Sequence, residues 1–217
     1  MKQLGRNDGF TLVELMVVCL IIVIVTASAM PSLLRTLVRN RMAEVAQDVV
    51  NQALAARSLA TRNGTCYRLS ITTSDLKRNG GTGGTIELAE YRPGGAAAQC
   101  TGNACDNDAA DWNVVRILSV GEDTATDSDG VTHNVRSIGD DVGITGLYDR
   151  DGNELAGKGV QLHFYFDPTG GVKMKLGSTC DFGQGFLRIE PIEGPSRYVY
   201  ISAGGTVRYT NCVKCPH

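Results

Sequence analysis

The run FTLVELMVVCLIIVIVTASAM, Phe10 to Met30, decides how the rest of this chain is read. It follows a short polar leader, MKQLGRNDG, without a gap, and Pro31 stands directly after it. At 1.5 Å per residue, about 20 apolar residues cover roughly 30 Å, the hydrocarbon thickness of a bilayer. The run is therefore expected to cross a membrane as a helix. It exceeds the apolar core of a secretory signal peptide, about 7 to 15 residues, and no small-x-small cleavage pattern closes it. Glu14 lies within it, where a carboxylate costs a few kcal/mol unless it finds a partner.

The residues around that acid, G-F-T-L-V-E-L-M at Gly9 to Met16, resemble the processing motif of type IV prepilins and of the pseudopilins of type II secretion. The resemblance implies a prepilin peptidase in the inner membrane that cuts between Gly9 and Phe10, removes residues 1–9 as a leader and methylates the new amine. The residue types suit those steps. Gly9 carries no side chain to obstruct the scissile bond, and Lys2 and Arg6 favour a cytoplasmic leader. Cleavage leaves an amine on Phe10, four residues before Glu14. In a low dielectric the two attract strongly, so their pairing can gate assembly.

Beyond Pro31, which removes a backbone donor and is expected to kink the helix, the pattern turns amphipathic. Val38, Met42, Val45, Val49, Ala53, Ala56 and Ala60 recur at spacings of three and four. Arg35, Arg39, Arg41, Glu44, Gln47, Asp48, Asn51, Gln52 and Arg57 lie largely between them. One helix from about Phe10 to Thr61 is expected, stopped by Asn63-Gly64. The alanines favour a helix lying close against a sheet over a coiled-coil seam. The expected division is a leader at 1–9, a helical stem at 10–64 whose transmembrane half is 10–30, and a globular head at 65–217.

The head reads as mainly β. Cys66–Thr73, Trp112–Ser119, Val131–Ile138, Gly159–Phe166, Val172–Leu176, Gly185–Ile192, Arg197–Ser202 and Thr206–Tyr209 are strand candidates, with Asp167-Pro-Thr-Gly-Gly171 turning one hairpin. Asn79–Thr85 and Tyr91–Ala98 read as loops, and Ile71–Asp111 as a bulky irregular segment. The fold class is α+β: a long N-terminal helix, transmembrane then amphipathic, packed on a mainly antiparallel, sandwich-like head. A formal net charge of −2 and the absence of a lysine, arginine and aromatic cluster exclude a specific nucleic-acid role.

Four segments in order, ALAARSLATRN at Ala53–Asn63, Trp112-Asn-Val-Val, Phe164-Tyr-Phe-Asp-Pro-Thr-Gly170 and RYVYISAGGTVR at Arg197–Arg208, resemble the GspH/FimT family of minor pseudopilins and minor pilins. That resemblance implies a pilin-like subunit of low abundance that primes assembly or caps a type IV pilus tip. The alternatives are a GspH-like pseudopilin of type II secretion and a major structural pilin. The implied partners are the prepilin peptidase, other minor pilins or pseudopilins, the major subunit, the inner-membrane assembly platform and inner-membrane lipid. The implied location is a single-pass inner-membrane protein with a periplasmic head, later at the pilus tip on the cell surface.

Cys19 falls in the apolar run and reads as a small filler. Cys66, Cys100, Cys105, Cys180, Cys212 and Cys215 fall in the head. In an oxidising compartment an even set implies three disulfides. Cys100 with Cys105 could clip a loop, and Cys212-Val-Lys-Cys215 could close on itself or pin the tail to Cys66 or Cys180. No metal site, cofactor or catalytic set is expected. His133, His163 and His217 are scattered, and the Asp-x-Asp-Gly pairs at Asp127–Gly130 and Asp149–Glu154 lack the helix and distal glutamate of a calcium loop. Both read as Asx turns at hairpin corners.

Overall fold

The structure is a computed structural model that describes residues 11–76, 79–93, 111–127, 130–135, 137–149, 151–176, 179–181, 184–202 and 204–210. Helix α1, Leu12–Asn63, has 52 residues and runs through Pro31 without interruption. Lacking an N–H, Pro31 leaves the Ala27 carbonyl without its helical donor. Nearby hydroxyls fold back on the backbone. Thr26 donates to the carbonyls of Ile22 at 2.8 Å and Val23 at 3.0 Å, Ser28 to Val25 at 2.8 Å, Ser32 to Ala29 at 2.8 Å and Thr36 to Ser32 at 3.0 Å. Each hydroxyl so satisfied can sit in apolar surroundings at little cost.

The far end of α1 stops as its sequence expects. Gly64 takes φ +66° and its N–H donates to the Ala60 carbonyl at 3.0 Å, the left-handed cap that glycine adopts without a Cβ clash. Asn63 Nδ2 donates to the Tyr67 hydroxyl at 2.7 Å, tying the stop to the strand that follows. The chain forms two compact units, Met1–Leu37 and Val38–His217. In the first, α1 from Leu12 onward is exposed on every side. Its apolar stretch is long enough to cross a membrane by length and composition.

The second unit adds the strands β1 (Tyr67–Thr72), β2 (Thr85–Tyr91), β3 (Trp112–Ser119), β4 (Thr124–Thr126), β5 (Thr132–Asn134), β6 (Val142–Tyr148), β7 (Glu154–Ala156), β8 (Gln161–Phe166), β9 (Val172–Leu176), β10 (Thr179–Asp181), β11 (Gly185–Pro191), β12 (Arg197–Ile201) and β13 (Val207–Thr210). One sheet has the order β10-β9-β8-β1-β2-β3 and the other β13-β12-β11-β6-β7, while β4 and β5 form a separate hairpin. Every ladder between named strands is antiparallel. The expected hairpin is present as β8 and β9, in register from Phe166 with Val172 to Leu162 with Leu176. Its corner is held by Asp167 Oδ1, which accepts from the N–H groups of Thr169 and Gly171, each at 2.9 Å.

Both sheets and the second half of α1 share one core. Met42, Val45, Ala46, Val49, Ala53, Ala56 and Ala60 meet Leu69, Ile71, Ile86, Phe164 and Phe166 of the first sheet and Ile144, Leu147, Leu187, Ile189, Val199 and Ile201 of the second. The alanines admit the close helix-to-sheet approach that their pattern predicts. Each fully buried Phe, Leu, Ile or Val stabilises by about 1.5 to 3 kcal/mol relative to exposure, as an upper estimate.

Two readings are corrected here. Gln52, placed with the polar positions, is buried at 4% exposure, and its Oε1 has no hydrogen-bond partner among the described residues. The segment Ile71–Asp111, read as irregular, contains β2, which lies between β1 and β3. Five of its seven residues are buried, so TIELAEY lacks the one-sided alternation that marks a strand in sequence. The same reason hid β6, whose residues Val142 to Leu147 are all buried.

The glycine-rich connection from β1 to β2 joins the sheets. Ser74 N–H donates to Ile144 O at 2.8 Å, Ile144 N–H to Gly83 O at 2.9 Å and Val120 N–H to Gly84 O at 2.9 Å. Gly83, at φ +75°, is so close to β3's end that a Cβ would lie 1.7 Å from the Val120 carbonyl oxygen, whereas Gly80, at φ +85°, faces open space. Gly83→Ala is expected to destabilise the protein by about 3 kcal/mol or more, and Gly80→Ala by only about 1 kcal/mol. Equal losses for the two, measured by denaturant unfolding of the head signal, would exclude close approach as the reason for Gly83.

Candidate functional site

The N-terminal turn of α1 is where the sequence places processing and assembly. Gly9 and Phe10 lie outside the described residues. Glu14 is in the first turn of α1 and exposed. Its N–H donates to Thr11 Oγ1 at 3.3 Å, and the Leu15 N–H donates to the Thr11 carbonyl at 3.2 Å. Thr11 is thus the N-cap and Glu14 the third helical residue, with the Thr11 half of a capping box in place. The signal for it was present in the sequence as Thr-x-x-Glu at the start of an apolar run. It places a carboxylate where the helix dipole favours negative charge.

In the head, two arginines of α1 hold distant loops. Arg41 pairs with Asp141 just ahead of β6. Arg57 Nη1 donates to the Gly205 carbonyl at 3.2 Å, at the turn between β12 and β13. The same guanidinium lies beside Gly170 in the β8–β9 corner. One helix residue thereby touches a turn of each sheet. Its place in the amphipathic pattern gave no hint of this, because an arginine at the border of an apolar face reads as solvated.

The first sheet also buries its face opposite the core. Arg68 and Glu87, each with a side chain about nineteen-twentieths buried, pair at 3.1 Å. The Arg68 guanidinium lies 4.9 Å from the Trp112 ring centre, and Trp112 also meets Tyr91 at 5.4 Å and Tyr165 at 5.5 Å. Cys66, Ala89, Trp112 and Tyr165 form a small second cluster here. Ser70 Oγ lies 2.8 Å from His163 Nδ1. Burial, reinforced by Arg68 and Lys175, lowers the His163 pKa to about 4.

The second sheet carries a row of aromatic residues on its outer face. Arg188 lies over the Tyr148 ring at 5.8 Å and donates to its hydroxyl at 3.1 Å, to Glu190 at 3.2 Å and to Ser196 at 3.1 Å. Tyr148 meets Tyr198 edge-on at 6.3 Å, and Phe186 meets Tyr200 at 4.9 Å. These groups are ordered by one another before any partner arrives.

Sheet edges are short or interrupted. Strands β10 and β7 have three residues each and β13 has four. The long edge strand β3 is broken by a bulge, since Leu88 pairs with Arg116 and Ala89 with Val114, leaving Val115 as the extra residue. Such edges resist strand addition by another chain.

Cys66 is buried and disulfide-bonded, whereas Cys19 is free and exposed. Cys100, Cys105, Cys212 and Cys215 lie outside the described residues, and no sulfur-to-sulfur pair lies within them. Cys180 stands in β10, three strands from β1. That is about 14 Å across the sheet, against the roughly 4.4 to 6.8 Å Cα separation that a disulfide needs.

The two Asp-Gly corners are Asx turns. Asp127 Oδ1 accepts from the Val131 N–H at 2.8 Å between β4 and β5, and Asp149 Oδ1 from the Asn153 N–H at 2.8 Å between β6 and β7. Asp127 also holds His133 Nε2 at 2.7 Å. Among the described residues no three His, Cys, Asp or Glu side chains gather as a metal site would require.

Residues 4–30 match the prokaryotic N-terminal methylation motif. No curated protein and no solved structure is significantly similar to the chain. The motif, the long apolar helix and the antiparallel head together make this a fold of the type IV pilin and pseudopilin kind.

His163 gives a pH test of the first sheet. Its folded pKa lies below the usual 6.5, so the unfolded chain takes up the proton first. Stability is complete above about pH 6.5 and falls as pH drops toward 4, by on the order of 3 kcal/mol in all. Thermal unfolding of His163→Gln across that window should lose this slope, and an unchanged slope would remove His163 as its source.

Proposed function

We propose that this chain is a minor pilin of a type IV pilus. It primes assembly or caps the filament tip through contacts with other minor pilins and the major subunit. The observation that carries the proposal is the methylation motif at residues 4–30, running directly into an apolar helix that continues as one wall of the head's core. Such a helix can be held in the bilayer and then handed to a bundle of similar helices, while the head stays folded. The blunted sheet edges support contact through α1 and not through strand exchange. The four segments that resemble the GspH/FimT family lie at the end of α1, in β3, in the β8–β9 hairpin and across β12–β13. In this reading the protein is a single-pass inner-membrane subunit with its head in the periplasm, and it works by contact without catalysis.

Processing requires Gly9 and Phe10, and assembly requires Glu14 to meet the Phe10 amine. Gly9→Leu should leave uncleaved precursor in the membrane. Glu14→Ala should be cleaved normally yet enter sheared filaments at least about tenfold less, since a buried charge left without its partner costs several kcal/mol. Intact-mass measurement of filament-associated protein reads both. Normal incorporation of Glu14→Ala would remove the pairing, and near-stoichiometric abundance along the shaft would make this a major pilin.

For the head we propose three disulfides among Cys66, Cys100, Cys105, Cys180, Cys212 and Cys215, each worth about 2 to 4 kcal/mol. Non-reducing peptide mapping should find no free thiol except Cys19. A Cys66–Cys180 peptide would contradict the strand order, and free thiols throughout the head would end the proposal.

A further inference from the structure

We propose that Arg35 binds the phosphodiester group of membrane lipids on the side of the bilayer where the head lies. The inference rests on the membrane-anchored reading and adds a specific contact to it. Between Glu14 and Arg35 no charged side chain interrupts α1. The interval is about 20 residues, which at 1.5 Å each spans roughly 30 Å and matches the hydrocarbon layer. With the apolar span ending at Met30, Arg35 lies five residues further on, about 7.5 Å at 1.5 Å each, which places it at the phosphate level on that side. Leu33, Leu34 and Leu37 around it are each more than half exposed, so its surroundings within Met1–Leu37 are apolar side chains that lipid would cover. Arg35 is exposed, and among the described residues it makes no hydrogen bond or ion pair.

The charge pattern selects an anionic partner. No Asp or Glu occurs between Glu14 and Glu44, while Arg35, Arg39 and Arg41 all fall in that interval. Arg41 is engaged by Asp141 within the head. Arg35 therefore lacks an intrahelical carboxylate at three or four residues on either side. A guanidinium offers a planar fork that fits two phosphate oxygens, and its methylene stem can lie along apolar surface while the fork reaches outward. A phosphodiester at the bilayer surface supplies that geometry at the required depth. A carboxylate on a neighbouring subunit is the competing occupant.

The test uses the full-length protein in nanodiscs of equal phosphatidylcholine and phosphatidylglycerol, with bound lipid counted by native mass spectrometry. Wild type should retain phosphatidylglycerol about fivefold over Arg35→Gln, the effect expected of one basic residue near an anionic surface. Arg35→Lys should retain part of the excess, and millimolar inorganic phosphate should leave it unchanged. Equal retention in wild type and Arg35→Gln, or displacement by free phosphate, would overturn the proposal. So would a loss of self-association in Arg35→Gln with lipid retention unchanged, which would assign the arginine to a protein carboxylate. Because neither peptidase nor filament is present, failure here leaves the pilin reading standing, and failure of that reading in cells leaves this result unaffected.

Discussion

One helix has to be stable in two solvents, and the rest of the molecule follows from that constraint. As the proposed membrane anchor, Leu12 to Leu34 of α1 must satisfy nearly all of its polar groups within itself, because lipid offers no hydrogen bonds; the Ala27 carbonyl opposite Pro31 is an exception. From Val38 onward α1 must keep one side apolar enough to close a core and the other polar enough for water. The sequence meets the first demand with branched aliphatic residues and hydroxyls that bond back to carbonyls. The second is met with a stripe of valine and alanine. Neither half can be exchanged for the other, since the first offers the sheets no small-residue seam and the second carries charges that lipid would reject.

The alanine stripe determines how the head is built. Ala53, Ala56 and Ala60 are fully buried, and their small size lets sheet residues as large as Phe164 and Phe166 fill the space beside the helix. Charged residues of α1 operate at the border of that seam. Arg41 and Arg57 reach beyond the helix surface to Asp141 and Gly205, so polar contacts locate the loops that apolar packing alone would leave free to shift. The buried Arg68–Glu87 pair plays a similar part within the first sheet. Its net contribution to stability is small against two well-packed apolar residues, but a strand slipped by one residue would strand both charges.

What could be read from the sequence was whatever carried a pattern with one exposed side. The helix Leu12–Asn63 was legible because its apolar run and its later stripe have different periods. The β8–β9 hairpin was legible because Gln161 to Leu176 alternates around a Pro-Gly corner. Strands β2 and β6 were not, because a strand covered on both faces has no alternation to show. Gln52 was missed for the converse reason: a polar residue was assumed to mark the wet side, and here it lies inside. Within the candidate site, Gly9, Phe10 and Glu14 were singled out by their resemblance to a prepilin processing motif. The cap formed by Thr11 was written there too as Thr-x-x-Glu. The reach of Arg57 to Gly205 was not, since it joins residues far apart in the chain.

The strand order has a consequence for the order in which the head can form. Strand β1 follows α1 directly, yet one of its two neighbours is β8, so Tyr67 pairs with Phe166 and Thr72 with Gln161. The first sheet cannot close until a long stretch of later chain has emerged, and a pairing of such separation is slow to find. Until then the valine and alanine face of α1 is uncovered. Topology thus sets a delay into the chain: the helix can form early, while the head acquires its bulk only after β8 and the strands beyond it arrive.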